Sequence, residues 1–287
     1  MERVENRKEL INLIIVYAIE LLIMICLGTA TTKLAETGVN IPTIIKSIFI
    51  YAMLFIPVIV YSKKKGDSFF EVCRLKKIKV STFFLTVLLT LVSAPMYIFA
   101  NILSQFFVPN VLVQSLNDMM DGTAGLTLLA ISVLAPICEE MICRGFFQNR
   151  LKEILPFFAS ALVSGIMFGA LHLNLNQFCY AVVLGVLFAY VNRASGSIIT
   201  SLIMHFLVNA GNMLILISAQ QLLSSMGGDL GQTAEMYRAD KSLMASSAAF
   251  YGVLAVIAFF LSRLIIKAIA KREQTEEITE AVLETAE

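Results

Sequence analysis

Long runs of apolar residues alternate with short polar and basic segments along most of this chain. Most runs contain close to the 20 residues that an α-helix needs to cross the hydrocarbon core of a bilayer. The pattern therefore predicts an all-α, polytopic membrane protein with about eight transmembrane helices, which lie at 10–28, 41–61, 80–100, 125–143, 157–173, 178–192, 197–217 and 249–266.

Two of these runs are shorter than the others, and a polar turn joins them. The runs are 157–173 and 178–192, and Asn174, Asn176 and Gln177 lie between them. Polar backbone at membrane depth is tolerated only where protein or water covers it. We therefore expect the turn to lie below the membrane surface or to line a wet cavity. Together with the basic loops, it leads us to expect a cavity that opens toward the cytoplasm.

The Lys and Arg residues are distributed unevenly over the loops between the predicted helices. If the N-terminus is cytoplasmic, most of the 22 Lys and Arg residues fall on the cytoplasmic side, and the exceptions are Lys33, Lys46, Arg238 and Lys241. Positive charge is enriched in the cytoplasmic loops of membrane proteins. The distribution therefore predicts that both termini are cytoplasmic, which requires an even number of helices.

The composition excludes several other classes of protein. The chain is 58% hydrophobic and 15% charged, whereas soluble domains are about 25% charged, so this is not an ordinary soluble enzyme. The formal net charge of +1 gives no reason to expect a nucleic-acid partner. The five cysteines include no CxxC pair, so the sequence predicts neither a disulfide framework nor a thiolate metal site.

Ionisable residues inside the apolar runs are the main indication of function. A charged side chain at the bilayer centre costs about 2.5–3.5 kcal/mol on insertion scales, so such residues are usually kept for a reason. The chain has two histidines, and both lie within apolar runs. The ionisable residues of these runs are Glu20, Glu139, Glu140, Arg144, His172 and His205. The sequence assigns no role to Glu20.

The segment from Glu139 to Arg144 separates two adjacent carboxylates. Glu140 lies four residues before Arg144, on the same helix face and in the better orientation for an ion pair. Glu139 lies about 100° further round the helix and has no cation nearby in the sequence. This spacing predicts a structural pair and a reactive carboxylate, because an apolar site makes a carboxylate a better base near neutral pH. A charge network that only orients helices is the alternative.

Two further helices carry polar residues that can complete a hydrolytic site. Phe168 and His172 share one helix face beside a GxxxG step (165–169) that permits close packing. His205 and Asn209 share a face of another helix. A glutamate with a histidine can activate water, and a histidine with an asparagine can hold an oxyanion. Each segment alone is explained equally well by hydrogen bonds between helices, but their combination favours hydrolysis.

These segments resemble the signature of the CPBP family of intramembrane proteases, also called the ABI or type II CAAX prenyl endopeptidase family. The signature is EExxxR, FxxxH and HxxxN, in that order on successive core helices. The resemblance covers roughly residues 125–212, and the matching residues are Glu139, Glu140, Arg144, Phe168, His172, His205 and Asn209. The first three predicted helices match nothing specific.

The resemblance implies an intramembrane endopeptidase that cleaves a membrane-bound or lipidated, CAAX-like protein or peptide. It implies that Glu139 and His172 activate the attacking water and that His205 and Asn209 form the oxyanion hole. The residues with supporting roles are Glu140, Arg144 and Phe168.

The resemblance leaves the metal question open. A zinc site formed by Glu139, His172 and His205 is one possibility, and a metal-free, glutamate-dependent hydrolase without a cofactor is the other. We favour the metal-free enzyme because Asn209 pairs naturally with His205 as an oxyanion donor, whereas zinc would occupy both histidines.

Two other functions are compatible with the same residues. One is a non-catalytic membrane regulatory or bacteriocin-immunity protein of the same fold, in which the polar residues form a structural network. The other is a transporter that uses its buried acids as a proton relay, although the chain shows no inverted repeat.

The sequence also predicts a division of the chain and its location. The predicted segments are N-terminal helices and loops at 1–124, a CPBP-like core at 125–217, an outer loop and last helix at 218–270, and a charged cytoplasmic tail at 271–287. The expected location is a bacterial cytoplasmic membrane, where the lipid bilayer and a membrane-bound substrate are the partners.

Overall fold

The chain folds as a bundle of α-helices. The computed structural model describes residues 2–39, 41–114, 116 and 124–284, and it contains no β-strand within those ranges. The all-α prediction is therefore confirmed for the described residues. The helices are α1 (Glu2–Glu36), α2 (Thr43–Lys65), α3 (Phe69–Cys73), α4 (Val80–Gln105), α5 (Val111–Gln114), α6 (124–154), α7 (Phe157–Leu171), α8 (Leu175–Ser195), α9 (Ile199–Ser225), α10 (Leu230–Ala239) and α11 (Lys241–Glu284).

Seven of the described helices are long and apolar enough to cross a membrane, namely α1, α2, α4, α6, α8, α9 and α11. The chain is thus an integral membrane protein. The predicted number of about eight includes α7, which has only 15 residues. At 1.5 Å per residue α7 is about 22 Å long, which is shorter than a hydrocarbon core of about 30 Å. It begins after Pro156 and ends before Leu173, whose φ of 51° lies in the left-handed region.

The polar turn between α7 and α8 is tied to the rest of the bundle. Asn174 caps α8, since its side chain accepts a hydrogen bond from the Gln177 backbone nitrogen over 3.0 Å. Asn176 is fully buried, and its amide donates to Asn101 and Ser104 of α4. Protein therefore covers the turn on one side, and protein cover is one of the two conditions under which polar backbone is tolerated at membrane depth.

Most of the basic segments gather at one end of the bundle, which we call the cationic end and define by residues 63–79, 144–152, 193 and 263–272. Glu9 of α1 forms an ion pair there with Lys65. Glu273 of α11 accepts a hydrogen bond from the Lys79 backbone nitrogen over 3.3 Å. The first helix therefore begins near the end of the bundle where the basic part of the last helix lies.

The assignment of the cationic end to the cytoplasm stays a prediction, as does the division of the chain into four segments. The region predicted as a tail at 271–287 continues α11 as a helix as far as Glu284, and residues 285–287 lie outside the described part of the chain.

Glycines allow α7 and α8 to pack with their backbones close together. A Cβ atom on Gly185 would lie 2.7 Å from the Gly165 Cα and 2.7 Å from Arg144 Nη2. A Cβ atom on Gly169 would lie 3.0 Å from the Phe178 carbonyl oxygen. The GxxxG step therefore forms the contact with α8, as the sequence predicted. This contact fixes the position of the helix that carries His172.

Helix α3 packs against α6 with almost no space between them. A Cβ atom on Gly145 would lie 2.7 Å from the Cys73 Sγ. Burial raises the pKa of the Cys73 thiol to about 12, so this thiol stays protonated at neutral pH and serves packing rather than chemistry. All five cysteines are free thiols.

Gly185→Ala should destabilise the protein, because the added methyl group meets the backbone of Gly165 and the side chain of Arg144. Overpacking of this kind costs about 1–3 kcal/mol. The matched control is Gly211→Ala on α9, where a Cβ atom meets nothing within 4 Å. Thermal unfolding of the purified proteins in detergent should give a lower midpoint for Gly185→Ala only. Equal midpoints for the two variants would contradict the close packing of α7 and α8.

Candidate active site

Helix α6 places its two adjacent carboxylates in different surroundings. It winds as an α-helix from Ala135 to Glu140 between two π-helical segments, Ala130–Leu134 and Met141–Gln148. Such segments are frequent at functional sites. Glu140 is fully buried, whereas the Glu139 side chain is 16% exposed. The neighbours therefore separate into a buried carboxylate and an accessible one, as the helical spacing predicted.

Glu140 binds two basic side chains through the same oxygen. Arg144 Nη1 donates to Glu140 Oε1 over 2.9 Å, and His205 Nδ1 donates to it over 3.1 Å. The guanidinium carbon of Arg144 lies 4.1 Å from the ring centre of Phe168 and 5.2 Å from that of Phe188. Burial of an ion pair is costly, and these hydrogen bonds and cation–π contacts offset part of that cost. The predicted ion pair is confirmed.

Glu139 has a polar neighbour at each carboxylate oxygen. The Tyr51 hydroxyl donates to Glu139 Oε1 over 2.6 Å, and His205 Nε2 lies 3.6 Å from Glu139 Oε2. The imidazole of His205 thus lies between the carboxylates of Glu139 and Glu140. When both acids and Arg144 are charged, a proton on each nitrogen of His205 brings these four side chains to zero net charge.

His172 is held by the backbone of its own helix. Its Nδ1 lies 3.0 Å from the Phe168 carbonyl oxygen, which can only accept, so Nδ1 is the protonated nitrogen in this hydrogen bond. In the neutral ring Nε2 then carries a free lone pair. The Phe168 ring contacts both histidines edge-on, at 5.1 Å from His172 and 5.4 Å from His205. Phe168 therefore positions both imidazoles as well as Arg144.

Asn209 is attached to the first π-helical segment. Its Nδ2 donates to the Ile131 carbonyl oxygen over 3.0 Å. An amide nitrogen carries two hydrogens, so one N–H of Asn209 remains for another acceptor. Asn209 lies one turn after His205 on α9, and both side chains reach the same space, as their spacing of four residues predicted.

One cavity of about 240 Å³ collects the four residues that the sequence proposed as catalytic, and we call it the catalytic cavity. Glu139 comes from α6, His172 from the end of α7, and His205 and Asn209 from α9. The remaining lining residues are Ser47, Tyr51, Leu112, Ala130, Ile131, Ala135, Phe168, Gln177, Tyr180, Ala181, Leu184, Val208, Asn212 and Met213. The three segments therefore meet around one space, and among the described residues no Lys or Arg lines it.

The catalytic cavity lies toward the end of the bundle away from the basic loops. Ser47 is in the first turns of α2, Leu112 is in α5, and Gln177 is in the first turn of α8. Each of these positions belongs to the end opposite the cationic end. The expectation of a cavity that opens toward the cytoplasm stays a prediction. The basic loops surround a different cavity, and the polar turn at 174–177 is at the opposite end.

Zinc bound by Glu139, His172 and His205 was one of the two possibilities that the sequence left open. No three His, Cys, Asp or Glu side chains among them are arranged so that they could hold a metal ion. His205 donates from Nδ1 to Glu140, and its Nε2 lies 3.6 Å from Glu139 Oε2. We therefore derive no chemical step through a metal.

Sequence reasoning missed several residues of the site. Tyr51 and Phe188 lie in apolar helices whose hydropathy gives no sign of a specific contact, although a tyrosine inside an apolar run is a detectable signal. Glu20 lies outside the catalytic cavity; it is fully buried in α1, and among the described residues neither carboxylate oxygen has a hydrogen-bond partner. Its role stays unassigned.

Comparisons with known proteins find similarity to membrane peptidases. Residues 122–211 match a family model described as "Type II CAAX prenyl endopeptidase Rce1-like". The protein named "Putative membrane peptidase YdiL" of Bacillus subtilis (strain 168) is 29% identical over 96 residues, which are 33% of this chain and 39% of that protein. The match thus spans about two fifths of the relative's length. No solved structure matches the chain.

The matched range includes all of the signature residues in α6, α7 and α9, and it agrees closely with the range of the resemblance seen in the sequence. Over residues 122–211, the chain is similar to the Rce1-like type II CAAX prenyl endopeptidase (CPBP) family.

Proposed function

We propose that this protein is an intramembrane endopeptidase that hydrolyses a peptide bond of a membrane-associated protein or peptide. The observation that supports this most directly is the catalytic cavity, where an accessible carboxylate and two imidazoles from three helices line one space. The family of residues 122–211 and the printed name of the B. subtilis relative both point to peptidase chemistry.

The proposed nucleophile is a water molecule between Glu139 and His172. The lone pair on His172 Nε2 and the free lone pairs of the Glu139 carboxylate can accept its proton as its oxygen attacks the carbonyl carbon of the substrate. The proton then passes to the leaving amine when the carbon–nitrogen bond breaks. The hydrogen bond from Tyr51 to Glu139 Oε1 holds the carboxylate in place during both transfers.

The proposed oxyanion hole consists of His205 and Asn209. The second N–H of Asn209 is not used by Ile131, and a protonated Nε2 of His205 can donate to the same oxygen. Donors that are fixed before the reaction stabilise the negative charge of the tetrahedral intermediate without reorganisation. Glu140 and Arg144 support this arrangement because they hold His205 through Nδ1.

The walls of the catalytic cavity favour a neutral and largely apolar substrate segment. Apart from the four proposed catalytic residues, the cavity is lined mainly by aliphatic and aromatic side chains, with Ser47, Gln177 and Asn212 among the polar exceptions. This surface suits a lipidated, CAAX-like peptide or a transmembrane segment. With the cationic end in the cytoplasm, the scissile bond reaches the site from the outer half of a bacterial cytoplasmic membrane.

Glu139→Gln should abolish proteolysis, because the amide cannot accept the proton of the attacking water. Removal of a general base costs about 10²–10⁴-fold in rate. Membranes of cells that express the wild type should contain new peptide N-termini that are absent with Glu139→Gln, at equal membrane abundance. The matched control is Glu20→Gln, a buried membrane glutamate outside the catalytic cavity, which should give the wild-type set of termini.

Persistence of these termini in the Glu139→Gln variant would contradict the proposal. A chelator separates the carboxylate mechanism from a zinc mechanism when the purified protein acts on a peptide found in this way. The proposal predicts cleavage at the same rate with and without chelator. Loss of cleavage that zinc restores would contradict the metal-free chemistry.

Tyr51→Phe should lower the cleavage rate about tenfold, because a hydrogen bond to a charged group contributes on the order of 1.5 kcal/mol. The comparison is Tyr61→Phe on the same helix, whose ring packs against Phe146 rather than lining the catalytic cavity. Rates on one purified peptide substrate measure both variants. Equal rates for the two variants would show that Tyr51 does not position Glu139.

Gln177→Cys should react with a membrane-impermeant maleimide added to intact cells, because Gln177 lines the catalytic cavity at the end away from the basic loops. The background chain carries Cys26→Ser and Cys179→Ser, since Cys26 is exposed and Cys179 is half-buried. Lys64→Cys at the cationic end should react only after the cells are permeabilised. The opposite pattern would reverse the orientation and place the catalytic cavity toward the cytoplasm.

A further inference from the structure

A second cavity of about 480 Å³ lies at the cationic end and shares no lining residue with the catalytic cavity. We call it the basic cavity. It lies between α6, the end of α3, the start of α7 and the turn from α8 to α9. Its lining residues are Arg74, Arg144, Gln148, Asn149, Lys152, Glu153, Phe157, Asn192, Arg193, Gly196, Ser197 and Ile198.

The basic cavity has an excess of positive charge. Four of its lining residues are cations, and one, Glu153, is a carboxylate. Glu153 is 61% exposed and lies 3.8 Å from Arg150. Among the described residues, neither Arg74, Lys152 nor Arg193 forms an ion pair with a carboxylate. Cations that converge on one space without counter-charges create a potential that attracts an anion.

The cations of the basic cavity come from separate segments, and side-chain contacts hold two of them. Lys152 Nζ donates to Asn149 Oδ1 over 2.6 Å. The guanidinium of Arg193 lies 4.3 Å from the ring centre of Phe157. Arg74 ends α3 with a φ of 53°, and its carbonyl oxygen accepts from the Ile198 backbone nitrogen over 3.4 Å. Arg74 and Arg193 are exposed and Lys152 is half-buried, and the fold brings these three cations together from separate segments.

Arg144 supplies an independent observation. Its side chain is 0% exposed, and Nη1 binds Glu140. Its Nε and Nη2 have no hydrogen-bond partner among the described residues, although Arg144 also lines the basic cavity. Buried donors without partners are rare because they are costly. The buried guanidinium beside this cavity therefore adds positive charge that the protein's own hydrogen bonds satisfy only in part.

We propose that the basic cavity binds a phosphate group. A phosphate offers several acceptor oxygens and at least one negative charge, which matches arginines and a lysine that approach from different directions. The cavity lies where α6 and α8 end, at the level expected for lipid headgroups, and basic pockets between membrane helices bind phosphorylated headgroups. The phosphate belongs either to an anionic phospholipid or to a soluble phosphate compound, and both present the same chemistry to the site.

The test uses the whole chain with two probes. Native mass spectrometry after reconstitution measures retention of phosphatidylglycerol against phosphatidylcholine, and calorimetry in phosphatidylcholine nanodiscs measures binding of inorganic phosphate. The site variant is Arg74→Gln with Arg193→Gln, and the charge-matched control is Lys63→Gln with Lys77→Gln. These lysines are exposed at the same end but do not line the basic cavity. Lys152→Gln is a second site variant if the double variant unfolds.

The wild type should retain one phosphatidylglycerol, or bind one phosphate, with an affinity that falls at least about tenfold in the site variant, since each basic residue contributes about 1 kcal/mol. The control should stay within about twofold of the wild type. Retention of phosphatidylglycerol without binding of inorganic phosphate identifies a lipid headgroup, and the reverse identifies a soluble phosphate. Binding of neither probe, or equal loss in the control, would overturn the proposal.

Discussion

The buried ion pair between Glu140 and Arg144 is the interaction on which the rest of the site depends. It places a fixed negative charge inside a bundle of apolar helices, and that charge holds the Nδ1 of His205. His205 is then oriented toward Glu139, whose other oxygen is bound by Tyr51. Loss of either partner alone would leave the other as an uncompensated buried charge on α6, which is strongly destabilising.

Close packing makes this arrangement rigid. Because Gly165 and Gly185 bring the backbones of α7 and α8 together, Arg144 fits between the rings of Phe168 and Phe188. The same Phe168 supplies the carbonyl that fixes His172. Proteolytic chemistry in a membrane needs groups that are positioned before the substrate arrives. Arg144 lines the basic cavity and binds Glu140, whose other partner, His205, lines the catalytic cavity.

Much of the fold and of the candidate site could be predicted from the sequence. Apolar runs predict membrane helices because helix length and bilayer thickness are both fixed, and the four-residue spacing predicted the ion pair of Glu140 with Arg144. Hydropathy alone did not give the number of long helices. It extended α7 to residue 173, whereas the helix ends at Leu171 and is therefore too short to count among them. The contact of Tyr51 with Glu139 joins residues 88 positions apart, and no local pattern encodes it.

The position of the catalytic cavity along the bundle was also beyond the sequence. The basic loops suggested water at the cationic end, but loop charge reports orientation rather than where helices separate. Gln177 and Ser47 line the same cavity as Glu139, and the basic loops surround the basic cavity. The position of the cavity depends on where the side chains of several helices meet. The periodicity of one helix shows which residues share a face, but it does not show how deep they lie relative to residues of another helix.

The protein contains only two histidines, so ¹⁵N-NMR of histidine-labelled protein in bilayers tests the central claim most directly. The account predicts that both rings are protonated at Nδ1, because Phe168 and Glu140 are the acceptors there, and that one ring has an unprotonated Nε2. It also predicts that Glu139→Gln changes the Nε2 signal of His205. An unprotonated Nδ1 on either ring would contradict the account, because the hydrogen bonds that hold the two imidazoles in the catalytic cavity would not exist.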